Sequence, residues 1–215
     1  MNTVAVTIST NETPQIRKLV DRMRVRFEKL NRIELVVLRE KDIDYSQSMV
    51  VDQRYLKAYL WDYLPSGTDR VIYIDRDMVP MRPLGLGSMP NAIFAAAQDH
   101  RKGREEAQEI WPIFKRTGLY FNSGFMVAHR STEPQFEQVA SMQSVMPDHH
   151  GCYDQTLFNL AMQHQWDVAV LPKEYNYCVA IDDQVVERPR MVHCCGTIEP
   201  YTLMAYLLEI PPCLD

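Results

Sequence analysis

The chain has 215 residues, of which 46% are hydrophobic and 24% are charged, and its formal net charge is -5. This composition is typical of a globular protein, and the length suits a single domain, residues 1–215, which is either the whole protein or one domain of a longer chain. The negative charge disfavours nucleic acid and anionic membranes as partners. We find no signal peptide and no apolar run near the ~20 residues that span a bilayer. With an odd number of cysteines, the sequence therefore predicts a soluble, cytoplasmic protein with free thiols.

Strand-like and helix-like segments alternate along the chain, which predicts an α/β fold with a largely parallel sheet. Thr13 followed by Pro14 is typical of a helix N-cap and first turn, and apolar residues continue at helical spacing to Leu30. The charged stretch 101–109 predicts a surface loop or a short helix. The predicted strands are 4–8, 33–38, 71–74, 93–97, 125–128, 168–171 and 191–194. The other predicted helices are 56–64, 133–145, with Ser131 and Thr132 as caps, and 153–163.

Two carboxylates, Asp75 and Asp77, follow the apolar run 71–74. Ligands of open α/β sheets bind beyond the carboxyl ends of the strands, so this is a favourable position for a site. Two acids this close repel each other unless a cation or a proton lies between them, and Mg²⁺ or Mn²⁺ prefers such oxygen ligands. A strand-ending turn with solvated acids explains the same pattern.

A phosphatase of the haloacid-dehalogenase type is an alternative, because its first motif is also an apolar strand ending in Asp-x-Asp. The first Asp would be the nucleophile and the second a general acid. Asp182 and Asp183 would then supply the later acidic pair. Against this alternative, two strand–helix units precede the motif, and Val79 occupies the place of an expected Thr or Ser.

Several further motifs accompany the acid pair in chain order. They are segment 6–11, Lys57, segment 120–124, Asp154-Gln155, and segment 191–196 with His193. Together with Asp75-Arg76-Asp77, they resemble the GT-A glycosyltransferases of the glycogenin and lipopolysaccharide galactosyltransferase kind, glycosyltransferase family 8. The resemblance covers nearly the whole chain and implies a central, mostly parallel mixed sheet flanked by helices. The chain also resembles the first domain of chlorella-virus glycosyltransferases that act on capsid glycans, which would place it in the host cytoplasm.

The resemblance implies a metal site formed by Asp75, Asp77 and His193. Mn²⁺ is the first choice, ahead of Mg²⁺, because it tolerates imidazole better. The ion would neutralise the donor diphosphate and stabilise the leaving group. Without the resemblance, His193 would be interpreted as a hydrogen-bonded strand histidine.

The resemblance also implies that Asp154 contacts sugar hydroxyls and that Gln155 lies near the anomeric carbon, and these two are the predicted catalytic residues. An acid at a helix start is also explained by the helix dipole alone. Gly124 would let the backbone approach the sugar, although segment 122–124 is equally compatible with a turn or bulge. The other predicted substrate contacts are Thr7, Ile8, Ser9, Lys57, Arg76, Asp99, Asn122, Ser123, Gly124 and Gly196.

The implied reaction is transfer of a hexose from a UDP-sugar, with UDP-glucose the first choice, to a glycan or glycoprotein acceptor. Configuration would be retained by same-face attack, since no general base is apparent. Three residues depart from the family pattern. Pro14 replaces a Tyr that packs on the base, Glu199 replaces a Lys expected at the diphosphate, and Arg76 is bulky for its place between the aspartates. A non-catalytic nucleotide-sugar-binding module is therefore a further alternative.

Zinc is the last alternative, because the chain has several soft ligands near its acidic motifs. Their spacings match no familiar zinc pattern, and adjacent cysteines rarely chelate one ion. The residues concerned are His149, His150, Cys152, His193, Cys194 and Cys195.

Overall fold

Strands and helices alternate along the chain, as the apolar pattern predicts. The structure is a computed structural model, and it describes residues 1–44, 53–143, 145–146, 153–165, 167–182, 185–195 and 199–213. The strands are β1 (Thr3–Ser9), β2 (Leu35–Arg39), β3 (Arg70–Ile74), β4 (Met78–Pro80), β5 (Phe94–Gln98), β6 (Phe121–His129), β7 (Ala169–Leu171), β8 (Tyr177–Cys178) and β9 (Met191–His193). The α-helices are α1 (Pro14–Asn31), α2 (Arg101–Ile110), α3 (Pro112–Thr117), α4 (Glu133–Met142), α5 (Tyr153–Gln165) and α6 (Pro200–Glu209). A 3-10 helix covers Gln53–Tyr63.

The main sheet has six strands in the order β2-β1-β3-β6-β5-β7. The pairs β1–β2, β1–β3 and β5–β7 are parallel, whereas β6 runs antiparallel to both of its neighbours. The prediction of a mostly parallel mixed sheet is therefore confirmed. Since β6 is reversed, its first residues lie beside the carboxyl end of β3.

A second, smaller sheet has the order β4-β9-β8. β4 pairs with β9 in antiparallel register, which places Met78 opposite His193. β8 runs parallel to β9 and places Cys178 opposite the same histidine. This sheet thus brings a segment from near residue 193 to the end of β3.

Apolar side chains cover both faces of the main sheet, and β3 shows why. Ile72 and Ile74 point into a core with α1 and α6, whereas Val71 and Tyr73 point into a core with the 3-10 helix, α4 and α5. The two-residue alternation of a strand therefore serves two layers of helices.

The first and last described helices are joined by Arg26 on α1. Its guanidinium donates to the backbone carbonyls of Leu207 at 3.0 Å and Leu208 at 2.9 Å, at the C-terminal end of α6. The last carbonyls of a helix lack intrahelical partners, and a cation there is favourable. None of the helices within the described ranges has the length and apolar character that a membrane span requires.

The element boundaries agree with the sequence analysis within about two residues for most strands. β6 is the exception, since it begins at Phe121 and includes segment 122–124. This segment is not a turn, but it lies where the pairing of β5 with β6 shifts register, between the pairs Ala96–Met126 and Gln98–Phe121, so the bulge alternative is supported. Predicted helix 56–64 is a 3-10 helix, stretch 101–109 is helical, and predicted helix 133–145 ends at Met142. The short elements β4, β8, α3 and α6 were not predicted.

The predicted cap of α1 is confirmed, whereas the cap predicted for α4 is confirmed in position only. The hydroxyl of Thr13 accepts a hydrogen bond from the backbone N–H of Ile16 at 3.2 Å, so it caps α1. Thr132 does stand at the start of α4, but its hydroxyl donates to the carbonyl of His129 at 2.7 Å and caps no helical N–H.

Candidate active site

Asp75 and Asp77 lie in the turn between the main sheet and the small sheet. The backbone N–H of Asp75 donates to the carbonyl of Gly124 on β6 at 2.8 Å. The N–H of Cys194, just after β9, donates to the carbonyl of Asp77 at 3.0 Å. Main-chain bonds to two different sheets therefore fix the position of both carboxylates.

His193 points its Nε2 atom at this carboxylate pair. Nε2 lies 3.3 Å from Oδ1 of Asp77 and 3.7 Å from Oδ2 of Asp75. The potential ligand atoms of the three residues all lie within 4.8 Å of one another. The structure thus brings together the three residues that the sequence predicts as metal ligands.

The carboxylate and the imidazole hold each other in their charged forms. Burial by itself would raise the pKa of Asp77, but the adjacent imidazole of His193 lowers it below the usual value. Burial would likewise lower the pKa of His193, and the charge of Asp77 raises it well above the usual value. A divalent cation between them would take over the role of the imidazole proton, since it also stabilises the two carboxylates.

A chain of amides fixes which nitrogen of His193 faces the carboxylates. The backbone N–H of Gly124 donates to Oδ1 of Asn122 at 2.9 Å, so this oxygen is an acceptor. Nδ2 of Asn176 also donates to it, at 2.7 Å, which leaves Oδ1 of Asn176 facing Nδ1 of His193 at 3.0 Å. Nδ1 must then carry a proton, and in the neutral ring Nε2 has the lone pair.

Lys57 lies at the centre of the site, buried between two acids. Its Nζ is 3.1 Å from Oδ1 of Asp75, 2.9 Å from Oδ2 of Asp154 and 3.1 Å from Oγ of Ser123. Burial lowers the pKa of Lys57, but the two carboxylates outweigh it and raise the pKa above its usual value. Lys57 is therefore a permanent cation that links the acid pair to the start of α5.

Asp154 and Gln155 project from the first turn of α5 towards β6. Oγ of Ser123 donates to Oδ2 of Asp154 at 2.9 Å. The N–H of Ser123 donates to Oε1 of Gln155 at 3.3 Å, and Nε2 of Gln155 donates to Oδ2 of Asp99 at 3.0 Å. Asp99 also accepts from Nδ2 of Asn122 at 3.1 Å. These polar residues form one connected and largely buried network.

Asn159, one turn further along α5, anchors this helix to β6. Its Oδ1 accepts from the N–H of Phe121 at 2.8 Å, and its Nδ2 donates to the carbonyl of the same residue at 2.8 Å. This pair of bonds satisfies the first backbone groups of β6 and sets the position of the Asp154-Gln155 turn. The sequence analysis did not select Asn159.

Two cavities meet at the carboxylates. One, of about 240 Å³, is also lined by Ile8, Thr10, Arg76 and Tyr201. The other, of about 310 Å³, extends past Asp99, Asn122, Gln155 and His193. Lys57, Asp75, Asp77 and Asp154 line both. The acid pair therefore divides one elongated cleft into two halves.

The remaining predicted contacts are only partly at the cleft. Ile8 lines it, but Thr7 is fully buried, and the hydroxyl of Ser9 donates to Glu12 at 2.6 Å, so these two do not line either cavity. Arg76 bonds to the carbonyl of Thr10, and its guanidinium lies 5.8 Å from the ring centre of Tyr201. Arg76 thus borders the cleft through specific contacts and does not simply extend into solvent.

Other residues discussed above have different surroundings. Pro14 and Glu199 are exposed, and the carboxylate of Glu199 accepts from Thr202 at 2.8 Å. Asp182 pairs with Lys173 at 2.7 Å and accepts from the N–H of Cys178 at 2.6 Å. Five residues considered in the sequence analysis lie outside the described ranges: His149, His150, Cys152, Asp183 and Gly196.

Of the cysteines considered for zinc, Cys194 and Cys195 are within the described residues, and their side chains point to different surroundings. Cys194 is buried in the apolar core beside α1 and α6. Cys195 instead donates a hydrogen bond to Cys178, with the two sulfur atoms 3.3 Å apart. This hydrogen bond lowers the pKa of the Cys178 thiol to about 6.

The model of the family described as Glycosyl transferase family 8 matches residues 4–202. The chain belongs to this family. It is a glycosyltransferase, and the resemblance to family 8 noted in the sequence is confirmed. No curated protein sequence matches this family 8 member.

Solved structures show that the family 8 chain has the GT-A fold. It is similar to the bifunctional glycosyltransferase WbbM, with 17% identity, a TM-score of 0.68, and coverage of 98% of this chain but 50% of WbbM. A glycosyltransferase involved in glycosylation of the major capsid of PBCV-1 has 15% identity, a TM-score of 0.67, and coverage of 96% and 100%. The galactosyltransferase LgtC, solved with donor and acceptor sugar analogs, has 14% identity, a TM-score of 0.65, and coverage of 98% and 97%.

Sequence reasoning missed several residues of this glycosyltransferase site. Asn176 and Cys178 lie in a segment without periodic apolar residues, so nothing in the sequence indicated their proximity to His193. Tyr73 follows the apolar pattern of β3, and its hydroxyl nevertheless donates to Oδ1 of Asp75 at 2.7 Å. The sequence did contain a signal for Tyr73, because side chains two residues apart on a strand point to the same face, and this tyrosine stands two residues before Asp75.

Proposed function

We propose that this glycosyltransferase moves a hexose from a UDP-sugar, with UDP-glucose the first choice, to a glycan or a protein-linked glycan. The configuration at the anomeric carbon of the hexose is retained in this proposal. In this proposal Asp75, Asp77 and His193 hold Mn²⁺ or Mg²⁺. The observation that carries it is the position of two carboxylates and one imidazole Nε2, within 4.8 Å of one another, where the two halves of the cleft meet.

The charges of the cleft support the need for a divalent cation. Its lining residues include four aspartates, Asp75, Asp77, Asp99 and Asp154, against the cations of Lys57 and Arg76 and, without a metal ion, the protonated imidazole of His193. A donor diphosphate would add further negative charge to this site. Electrostatic repulsion would therefore oppose donor binding unless a metal ion accompanied the diphosphate. When bound, such an ion stabilises the charge that develops on the leaving diphosphate.

The two halves of the cleft suit the two ends of the donor. The half bordered by Ile8, Thr10 and the ring of Tyr201 has apolar surface for a nucleoside, and Arg76 stands beside it. The half bordered by Asp99, Asn122 and Gln155 is rich in groups that bond to hydroxyls, as a sugar requires. We assign the nucleoside to the first half and the hexose to the second.

Asp154 and Gln155 have separate roles in this proposal. Asp154, held by Lys57 and Ser123, would accept hydrogen bonds from sugar hydroxyls. Gln155 would lie against the anomeric carbon. Its orientation is fixed, because its Oε1 accepts from a backbone N–H and its amide nitrogen donates to Asp99. A neutral, preorganised amide fits same-face attack better than a double displacement, which needs a nucleophile.

Release of UDP from nucleotide-sugars tests this function directly. The panel is UDP-glucose, UDP-galactose, UDP-xylose and UDP-rhamnose. In the presence of Mn²⁺ we expect slow release of UDP from one of them by hydrolysis, and faster release when an acceptor takes the sugar. EDTA should stop the reaction. Phosphate release from small phosphomonoesters, with UDP-sugars left intact, would support the haloacid-dehalogenase alternative. Binding without turnover of any donor would support the non-catalytic module.

Asn176 provides a test of the proposed metal geometry. Replacing Asn176 with leucine removes the acceptor for Nδ1–H of His193, so the ring loses its fixed orientation towards the carboxylates. Loss of such an outer partner typically weakens metal binding, and we expect the Mn²⁺ dissociation constant to rise about 10–100-fold. Electron paramagnetic resonance of unbound Mn²⁺ during a titration measures it.

Asn176→Asp is the matched control, because aspartate loses the donor to Oδ1 of Asn122 as leucine does, but keeps an oxygen acceptor for Nδ1–H. Its Mn²⁺ affinity should lie much closer to that of the wild type. The two variants should have similar unfolding temperatures, so that a difference in affinity reports on the histidine. Wild-type Mn²⁺ affinity in Asn176→Leu would contradict the assigned orientation.

A further inference from the structure

Two cysteine thiols lie beside the His193 ring, and that of Cys178 is next to Nδ1, the nitrogen that does not face the aspartates. Cys178 ends β8 and is the register partner of His193, and Cys195 follows two residues after that histidine. Sγ of Cys178 is 3.3 Å from Sγ of Cys195 and 3.7 Å from Nδ1 of His193. The two sulfurs and a ring nitrogen of His193 all lie within 4.8 Å of one another. One imidazole therefore has a hard, oxygen-rich side at Nε2 and a soft, sulfur-rich side at Nδ1.

We propose that Cys178, Cys195 and Nδ1 of His193 form a second metal site, specific for a thiophilic divalent cation such as Zn²⁺. This site is distinct from the aspartate site, although both use the same ring. Two sulfur ligands and one nitrogen are a donor set that Zn²⁺ prefers and that Mn²⁺ and Mg²⁺ do not.

The spacing of the three atoms is close to that of a tetrahedral zinc centre. With Zn–S bonds of about 2.3 Å and Zn–N bonds of about 2.0 Å, tetrahedral geometry puts the sulfurs about 3.8 Å apart and each sulfur about 3.5 Å from the nitrogen. The observed distances are 3.3 Å between the two sulfurs and 3.7 Å from Sγ of Cys178 to Nδ1, and Sγ of Cys195 lies within 4.8 Å of a ring nitrogen of His193. To admit the ion, the two sulfurs need to separate by about 0.5 Å, and Cys195 has to adjust its distance to the ring.

The site is accessible from the cleft. Cys195 is only partly buried, and it lines the same cavity as His193, Asp99 and Asn122. An ion that enters this cavity reaches Cys195 and His193 directly, and the buried Sγ of Cys178 lies 3.3 Å behind Sγ of Cys195. The fourth coordination position would face the cavity and take a water molecule.

Binding of the soft cation would inhibit the enzyme. Both thiols and Nδ1 release their protons to solvent when the ion binds, and Oδ1 of Asn176 loses the donor that now faces it. The ring then donates the Nδ1 electron pair to the soft ion and keeps its remaining proton on Nε2, so Nε2 has no lone pair for a cation held by the aspartates. The inhibition rests on the proposed function, whereas the binding does not.

Absorption spectroscopy with Co²⁺ as the probe tests the binding. In reduced wild-type protein, stoichiometric Co²⁺ should produce a near-ultraviolet band from thiolate-to-cobalt charge transfer, and Zn²⁺ should remove it by displacement. Cys178→Ser and Cys195→Ser should each lose the band. Cys213→Ser is the matched control, since Cys213 is exposed at the far end of the described chain, and it should keep the band. A Co²⁺ ion at the aspartate site alone gives no such band.

A second pair of measurements separates this site from the proposed function. In Asp77→Ala the band should persist even though turnover fails, because none of the three soft ligands is changed. Zn²⁺ should inhibit turnover by the wild type even in excess Mn²⁺. In Cys178→Ser the Zn²⁺ concentration for half-inhibition should rise by more than about tenfold, because removing a residue that only hydrogen-bonds to a metal ligand already weakens metal binding by about that factor.

The proposal is wrong if wild-type protein shows no thiolate band, or if the band survives in both cysteine variants. Should either variant fail to fold, alkylation of the wild type provides the answer. Zn²⁺ should protect Cys178 and Cys195 from iodoacetamide, as peptide mass mapping would show, and leave Cys213 reactive. Equal labelling of all three with and without Zn²⁺ would also overturn the proposal.

Discussion

Replacing Asp77 with alanine is expected to reduce metal-dependent turnover of the UDP-sugar by at least about a hundredfold. The substitution removes the carboxylate closest to Nε2 of His193, at 3.3 Å, and leaves two of the three proposed ligands. The fold should survive, because the bond that joins this turn to β9 comes from the backbone carbonyl of Asp77 and not from its side chain. Turnover is measured as UDP release across a range of Mn²⁺ concentrations.

Asp21→Ala is the control for this variant, because Asp21 is a half-exposed aspartate of α1 that pairs with Arg39 far from the cleft. Its turnover and its Mn²⁺ dependence should match those of the wild type. Circular dichroism should show the same unfolding transition for Asp77→Ala and for Asp21→Ala. Undiminished turnover in Asp77→Ala, together with insensitivity to EDTA, would remove the metal from the proposed function.

Replacing Gly124 with alanine is expected to abolish turnover by displacing His193. An alanine Cβ at this position would lie 2.8 Å from Nδ1 of His193 and 2.9 Å from Oδ1 of Asn122, closer than real Cβ atoms come to other heavy atoms. The ring would have to move away from β6, and its Nε2 would leave the aspartates. Overpacking of this kind costs about 1–3 kcal/mol of stability, which a folded domain can tolerate. Mn²⁺ titration and UDP release measure the two effects.

Gly67→Ala is the matched control, since an alanine Cβ there meets no other heavy atom within 4 Å. That variant should bind Mn²⁺ and release UDP as the wild type does. If Gly124→Ala retained full Mn²⁺ affinity, the close contact between β6 and the histidine would not position the metal ligand. Loss of stability without loss of affinity would lead to the same conclusion.

The parts of the fold that sequence predicted best are those with strong local patterns. The buried strand β3 and the amphipathic helix α1, with its Thr13 cap, follow directly from apolar spacing and capping chemistry. The 3-10 geometry of Gln53–Tyr63 and the three-residue strand β4 were missed, because neither has a distinctive period over so short or irregular a segment. β6 was placed too short because Asn122, Ser123 and Gly124 are all residues that favour turns.

The candidate site was predictable only where a motif carried it. Asp75, Asp77 and His193 were named together because of their motif, and the structure does bring them together. The roles of Asn176 and Cys178 depend on the pairing of β8 with β9, which joins segments that no local pattern connects. Thr7 and Ser9 were assigned to the cleft as part of a contiguous motif, but the side chains of a strand alternate in direction, and only Ile8 between them lines it.

The small sheet has an energetic consequence for the whole enzyme. β4 and β9 share only three residue pairs, and yet this short ladder, with the bond from the N–H of Cys194 to Asp77, places His193 beside an aspartate more than a hundred positions earlier in the chain. Any cation held between them acts as a cross-link between distant parts of the polypeptide, so ion binding and ladder formation must reinforce each other. Loss of the ion would then loosen the segment that ends at His193 before it affected the six-stranded sheet, and local opening of that segment would set the rate at which the ion exchanges.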